Sequence, residues 1–428
     1  MKKALVYYLY GNRNAGDMAI CMGTVELLKK QGYKITMVSR FSEAENEYRR
    51  SREYLAEYYP EVKVYPGPFS FERNFSAVKK MVAYTGSLMK VAGIVPDKQT
   101  RHLVEEADVV FFNGGNLLRG ASTADYLRLV ALFYPIKIAH DKGKPVYCLP
   151  QSTSNISDRG ETMLGNYLRY FETVFVRENI SFEELKKRFP DIPFVRSTDL
   201  AFLCEDTETA SRKFNELGLR LDTKTAAIVV RNTGIGDIGE LAFDKQKKLM
   251  DQLLAFIGEH RDYHYLIVVQ TEKDREFSQR ALETIRGIAA VDMVENHDPL
   301  VLREIYKHVE FLITMRLHAG ILSLSANTPV IGLFSEEWGL KNPGMMTDYE
   351  MPYVVIEKGK EEIPAMPTDT QRTNITKFIH KYSETLNNPK FPGVSVSTFV
   401  STGINCASAF NLIPRNGHSN GPFPQKND

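Results

Sequence analysis

The chain has 428 residues, with 54 Lys+Arg against 53 Asp+Glu and a formal net charge of +1. That balance supplies no excess of clustered cations, so nucleic acid is not expected as a partner. With 43% hydrophobic and 25% charged residues, the composition fits a globular chain of two to three domains and excludes a collagen-like repeat, a wholly disordered chain and a disulfide scaffold.

The first residues, MKKALVYYLYGN, place two lysines before an apolar run. The run is short, carries tyrosines and lacks a small-residue cleavage site, so it reads as a buried strand over Ala4–Tyr10 rather than a signal peptide. The loop Gly11–Asp17 follows, then a helix over Met18–Lys30 with Asp17 as its cap and Gly32 as its stop, then a strand over Lys34–Ser39; this is a βαβ unit. Residues 69–93 are amphipathic and contain lysines, which suits a packed helical excursion or a peripheral membrane contact. Further strands are expected at Asp108–Phe112, Pro145–Pro150 and Thr173–Arg177, with helices around Tyr126–Lys142 and Glu161–Tyr170.

A charged stretch, Glu205–Lys224, with one helical segment, marks a domain boundary and separates residues 1–204 from residues 205–386. The second series of strands is AAIVVR, YLIVVQ, VDMVE, FLITM and PVIGLF. Helices are expected between them at Phe243–His260, Asp274–Arg286, Leu300–Lys307 and His318–Ala326, with a closing C-terminal helix that ends near Leu386. Strands alternating with helices predict an α/β protein of two Rossmann-like domains with parallel sheets facing a cleft. Ligands of such sheets bind beyond the carboxyl ends of the strands. From Asn387 the chain is rich in Asn, Ser, Gly and Pro, which predicts a disordered C-terminal tail over 387–428. No stretch of 18 apolar residues occurs, so no transmembrane helix is expected. The four cysteines, Cys21, Cys148, Cys204 and Cys406, form no CxxC pair, which points to a reducing compartment and to no metal site.

Polar residues at strand ends are the candidates for chemistry. The loop Gly11-Asn-Arg-Asn14-Ala-Gly16-Asp17 opens a helix whose free amides favour anions. Its glycine spacing is that of a P-loop, but Asp17-Met18 stands where Lys-Ser/Thr would hold phosphate and magnesium, so ATPase chemistry is not expected. A glycine turn, Asn113-Gly114-Gly115-Asn116, follows DVVFF, and Gln151 follows PVYCLP; together they suggest a polar rim facing the cleft. In the second half Arg231 ends AAIVV, and Arg316 and His318 follow FLIT in a βα turn. Guanidinium forks bidentately onto carboxylate or phosphate, and imidazole moves protons near neutrality.

GNRNAGDMAI, NGGNLL, LPQS, VFVRENIS, TDLAF and above all MRLHAGILSLSANTPVIGL, in this order over about Lys3–Lys341, resemble the motif series of the polysaccharide pyruvyl transferase family. The resemblance implies the two-Rossmann GT-B architecture and transfer of pyruvate from phosphoenolpyruvate to a sugar as a cyclic ketal. It implies Arg231, Arg316 and Lys341 as donor-binding residues and His318 as the proton-transfer group. The loop carrying Asn14, Gly16 and Asp17, the Gly114-Gly115-Asn116 turn, Gln151 and Glu336 would then form the acceptor side. Arg177 and Ser181 match the family's R-E-x-x-S pattern, read as an inter-element tie and a helix cap. Two departures, Asn113 and Asn116 where many members carry glycine and Asp199-Leu200-Ala201 where many carry Asp-Pro-Ala, are not expected to touch the Arg-His constellation. No cofactor is implied beyond phosphoenolpyruvate as substrate, and the partner is a sugar or lipid-linked oligosaccharide met in the cytoplasm or at the inner face of the membrane. The alternatives are a nucleotide-sugar glycosyltransferase of the same fold and a non-catalytic glycan-binding module.

Overall fold

The computed structural model describes residues 1–69, 85–221, 224–234, 239–339, 341–357 and 375. The tail over 387–428, the closing helix before it and most of the 69–93 segment lie outside the described residues.

The chain runs β1 (Lys3–Leu9), α1 (Ala15–Lys30), β2 (Lys34–Ser39), α2 (Asn46–Tyr58), β3 (Lys63–Tyr65), α3 (Lys98–Glu106), β4 (Val109–Phe112), β5 (Gly115–Gly120), α4 (Thr123–Asp141), β6 (Val146–Ile156), α5 (Asp158–Leu168), β7 (Thr173–Val176), α6 (Asn179–Arg188) and β8 (Phe194–Arg196). A 3-10 turn at Leu200–Leu203 and α7 (Glu208–Glu216) lead to the second series. There follow β9 (Thr225–Val229), α8 (Phe243–Glu259), β10 (His264–Val269), α9 (Arg275–Ile285), β11 (Val291–Glu295), α10 (Pro299–Lys307), β12 (Phe311–Thr314), α11 (Leu317–Ser325), β13 (Val330–Phe334), α12 (Lys341–Asp348) and β14 (Tyr353–Val355).

Two parallel sheets result. The first has the order β3-β2-β1-β4-β6-β7-β8, with β5 added to the far end of β6, and the second has the order β11-β10-β9-β12-β13-β14. Their central strands are unbroken apolar runs, VVFF in β4 and FLIT in β12, buried on both faces, as helix-covered parallel strands require. In each sheet the chain moves outward one way and then the other, so the order reverses between β1 and β4 and again between β9 and β12. Such reversals are where ligands of parallel sheets bind, beyond the carboxyl ends of the strands.

Helix α1 joins the two layers. Consecutive residues Met18–Leu28 are all buried, which a helix shows only when it is enclosed on every side. It packs on β1 and β2 of the first sheet and also on the 3-10 turn, α10 and α11. Gly23 makes this possible, because a Cβ there would overlap the Leu200 carbonyl. Polar bonds add to the seam: Tyr58 Oη donates to Asp298 at 2.5 Å, Arg196 bonds Asp348 at 2.5 Å, and the Thr198 and Tyr349 hydroxyls meet at 2.7 Å. Residues 1–386 accordingly form one compact unit.

Most helices appear where the apolar spacing places them, within one to three residues at each end. Helix α1 begins three residues early because Asn14, not Asp17, is its N-cap: Asn14 Oδ1 accepts from Gly16 N at 3.0 Å, and Asp17 lies in the first turn, where its charge suits the helix dipole. The expected Asn-Gly turn after β4 is instead the entry to strand β5, paired in parallel with an elongated β6.

Candidate active site

The crevice between β9 and β12 gathers the cationic groups. The register pairs Ile228 with Ile267 and Val229 with Thr314, so Arg231, just past β9, lies between Gln270 past β10 and Arg316 past β12. Arg231 donates through Nε to Thr233 O at 3.1 Å and Thr233 Oγ1 at 3.2 Å, and through Nη2 to Gly234 O at 2.5 Å. Its guanidinium stacks 4.9 Å from the ring of Trp338, whose Nε1 donates to the same Thr233 carbonyl at 2.8 Å. The stack and the bonds hold the guanidinium plane in one orientation.

Arg316 is placed differently from the expected second dedicated anion binder. Its Nε and Nη2 fork onto buried Asp274 at 2.5 and 2.8 Å, and Nη2 also reaches Thr233 Oγ1 at 3.3 Å. Most of the fork is thus committed to a carboxylate, which fixes the side chain and offsets its charge. Beside these arginines, Asn232 Oδ1 and Gln270 Oε1 are buried with no hydrogen-bond partner. Buried acceptors of that kind are rare in folded proteins and mark a place where a ligand can supply the missing donor.

His318 lies in the first turn of α11 with 16% of its side chain exposed. One side of the ring is covered by Gly16 of α1, where any Cβ would overlap the imidazole at Nδ1 and Cγ. Nε2 makes no hydrogen bond and faces Asp199 Oδ2 at 3.9 Å. Asp199 is itself held, because Oδ2 accepts from Arg177 Nη1 at 2.6 Å and Oδ1 from Ala201 N at 2.8 Å, while Arg177 Nε donates to Ser152 Oγ at 2.7 Å. Burial pushes the His318 imidazole down to about 4 from an ordinary 6.5; Asp199 opposes the shift, and Arg177, Lys341 and Arg316 reinforce it. The ring is therefore neutral at neutral pH.

This geometry places Asp199 of the TDLAF segment beside His318, while Leu200, the residue there that departs from the family pattern, packs against Gly23 and Gly114. It also corrects the polar rim of the first half. Gln151 is fully buried, donating to Asn113 O at 2.6 Å and accepting from Leu117 N at 3.1 Å. Asn113 is equally buried and spends its amide on Tyr8 O, Thr24 Oγ1 and Gly114 N. Gly114 and Gly115 are packed under Leu200 and Tyr10. These groups brace the first crevice and do not face solvent; Asn116 alone of the set is half-buried with an unpartnered Oδ1. Glu336 is exposed, with its N–H on Glu357 Oε2 at 3.0 Å, and Lys341 opens α12 near enough to His318 to weigh on its charge.

Sequence reasoning missed Asp274 and Trp338. The first follows the strand YLIVVQ and the second is the chain's single tryptophan, so strand-end position and rarity were the available signals. Among the described residues no cluster of three or more His, Cys, Asp or Glu is disposed to hold a metal ion.

Two helix-covered parallel sheets, each with one reversal of strand order, are the GT-B architecture, and the solved structures this chain resembles share it. A UDP-glucosyltransferase from Polygonum tinctorium superposes with a TM-score of 0.52 at 12% identity, over 90% of this chain and 97% of that one. A glycosyltransferase from Rickettsia africae gives 0.51 at 13%, over 97% and 100%, and the UDP-GlcNAc 2-epimerase of Neisseria meningitidis bound to UDP-GlcNAc gives 0.50 at 13%, over 90% and 94%. At such identities the likeness concerns the fold. A search of curated proteins by sequence finds no significant match. The family is settled by the match of residues 14–334 to the polysaccharide pyruvyl transferase model: the chain belongs to that family and is a transferase acting on a sugar or polysaccharide.

Proposed function

We propose that the protein transfers pyruvate from phosphoenolpyruvate onto two hydroxyls of one sugar in a surface glycan or its precursor, forming a cyclic ketal and releasing phosphate. The observation that carries this reading is the convergence of Arg231, Arg316 and His318 at the β9–β12 reversal. Phosphoenolpyruvate carries a phosphate and a carboxylate on three carbons. Arg231, held flat by Trp338, binds one of them, and Lys341 with the outer edge of Arg316 attracts the other.

The chemistry needs a proton on C3, addition of one hydroxyl oxygen to C2, departure of phosphate from C2, and addition of the second oxygen there. Each hydroxyl gives up its proton; one proton is retained in the new methyl group and the other leaves with phosphate. His318, neutral in the free protein, is set to accept the proton of the attacking hydroxyl and return it to the departing phosphate. Bringing the anionic donor beside it raises its proton affinity as the reaction needs it. The reaction belongs in the cytoplasm, where phosphoenolpyruvate is produced, and among the described residues no helix is long and apolar enough to cross a membrane.

The test is calorimetry with phosphoenolpyruvate and, in parallel, with UDP-sugars, followed by phosphate release on adding candidate oligosaccharides. Binding of phosphoenolpyruvate with sugar-dependent phosphate release is expected. Heat only with a UDP-sugar would replace this reading with a glycosyltransferase.

A further inference from the structure

The acceptor needs more than the first crevice offers, because Gly114, Gly115 and Gln151 are buried there and only Asn116 keeps an unpartnered atom. A second crevice of about 450 Å³ lies where α2 and the Gly11–Asp17 loop meet the carboxyl end of β11, within the roughly 300–1,000 Å³ range of small-ligand sites. Asn12 and Tyr54 line it from one sheet's elements, and Glu295, Asn296, His297 and Asp298 from the other's. Asn12 stands four residues before Gly16, which covers His318, so the crevice opens within about 14 Å of that contact even with the loop fully extended.

Its chemistry is opposite to that of the arginine crevice. Lys213 is bound to Glu57 at 2.8 Å and Asp298 at 3.1 Å, and Arg275 forks onto Glu295 with two bonds of 2.6 Å. Three carboxylates against two cations leave the site anionic, which repels a phosphate or a carboxylate. Both Glu295 oxygens are forked by Arg275, and Asp298 accepts from Tyr58, Lys213 and the first amides of α10. A sugar hydroxyl would therefore meet the Asn12 and Asn296 amides, which offer donors and an acceptor. Asn296 Oδ1 accepts from Asp298 N at 2.8 Å, which holds that amide in place. The Tyr54 ring adds an apolar face.

We infer that this crevice, resting on the pyruvyl-transfer reading for its role, is the acceptor site and binds an uncharged pyranose ring through paired hydroxyls. The ring held there is the neighbour of the one that reacts, because both reacting hydroxyls must reach C2 of the donor at the β9–β12 reversal, two strands away from β11.

The test uses the full chain and saturation-transfer NMR with the methyl glycosides of glucose, galactose, mannose, N-acetylglucosamine and N-acetylmannosamine, and with methyl glucuronide as the anionic comparison. At least one neutral glycoside is expected to bind and methyl glucuronide is not. Asn296→Ala and His297→Ala are each expected to weaken that glycoside by roughly tenfold, the weight of one good hydrogen bond, without changing phosphoenolpyruvate affinity in calorimetry or the melting temperature. Asn296 supports a turn; if its variant melts early, His297→Ala decides. No neutral glycoside bound, or binding equal in both variants, overturns the assignment. Loss of phosphoenolpyruvate binding in the unaltered chain would instead overturn the donor reading while leaving the glycoside result to stand.

Discussion

The two reversal crevices have the same topology and opposite contents. At β1/β4 the polar groups form a closed set: Asn113, Gln151, Thr24 and the Tyr10 hydroxyl all bond to each other or to nearby backbone. At β9/β12 Asn232 and Gln270 are also buried and His318 nearly so, but each keeps an atom with no hydrogen-bond partner, against Asn116 alone among the named groups at β1/β4. Position in the fold therefore names two equivalent places for a ligand, and hydrogen-bond satisfaction separates them. A closed polar set rigidifies the fold, whereas an open one is an energetic cost that a bound substrate can relieve.

The strongest way to break this contrast is to remove the open histidine. His318→Ala should lower sugar-dependent phosphate release on the order of 10²–10⁴-fold with donor affinity little changed; turnover near normal would move the proton transfer elsewhere. Gly16→Ala places a methyl group against the imidazole and should cost turnover about 10²-fold through misplacement, measured in the same assay beside an unchanged far-ultraviolet spectrum. The arginines sharpen the comparison from within. Arg231→Ala should weaken phosphoenolpyruvate by about 1.5–3 kcal/mol in calorimetry and, by leaving the Gly234 carbonyl without its donor, cost about 1–3 kcal/mol in stability. Arg316→Ala leaves Asp274 buried without its fork and should also cost roughly 3–5 kcal/mol in urea unfolding. In the closed set, Asn113→Ala should lose about 1–3 kcal/mol of stability while the folded fraction keeps its turnover.

A further effect is one of pH. The imidazole of His318 takes a proton at about 4 when folded and near 6.5 when unfolded, so between these values the unfolded chain binds more protons. Its contribution to stability is complete above about pH 6.5 and is lost as pH falls toward 4. Urea midpoints measured across that window should fall, and should fall less steeply in His318→Asn.

The alternation of strands and helices, the two-sheet architecture and the strand-end placement of Arg231, Arg316 and His318 were legible because burial on both faces leaves unbroken apolar runs such as FLIT and VVFF. The short polar elements were not. Helix α2 is NEYRRSREYLAEY and buries only Tyr48, Ser51 and Leu55, and β5 (GNLLRG) carries a glycine at each end, so neither has a strong period of its own. The partners of the site were hidden for a different reason. Asp199 and Asp274 come within reach of His318 and Arg316 across 119 and 42 residues of chain, and a contact of that kind has no trace in local spacing. The closure of Asn113 and Gln151 was equally invisible, since an Asn at a strand end looks the same whether its amide faces solvent or a carbonyl.

Helix α1 belongs to the first sheet by chain order, yet it is enclosed by the second sheet's α10 and α11 as well. This bears on how such a protein can be taken apart or recombined. Cutting the chain near residue 221 would strip one flank of a helix that has no polar face to offer water, so neither fragment should be soluble alone, and co-expression should restore both. Exchanging the first half for that of a relative should succeed only when the donor also supplies glycine at the position of Gly16, because its close approach to His318 is where the backbone of one half meets a side chain of the other.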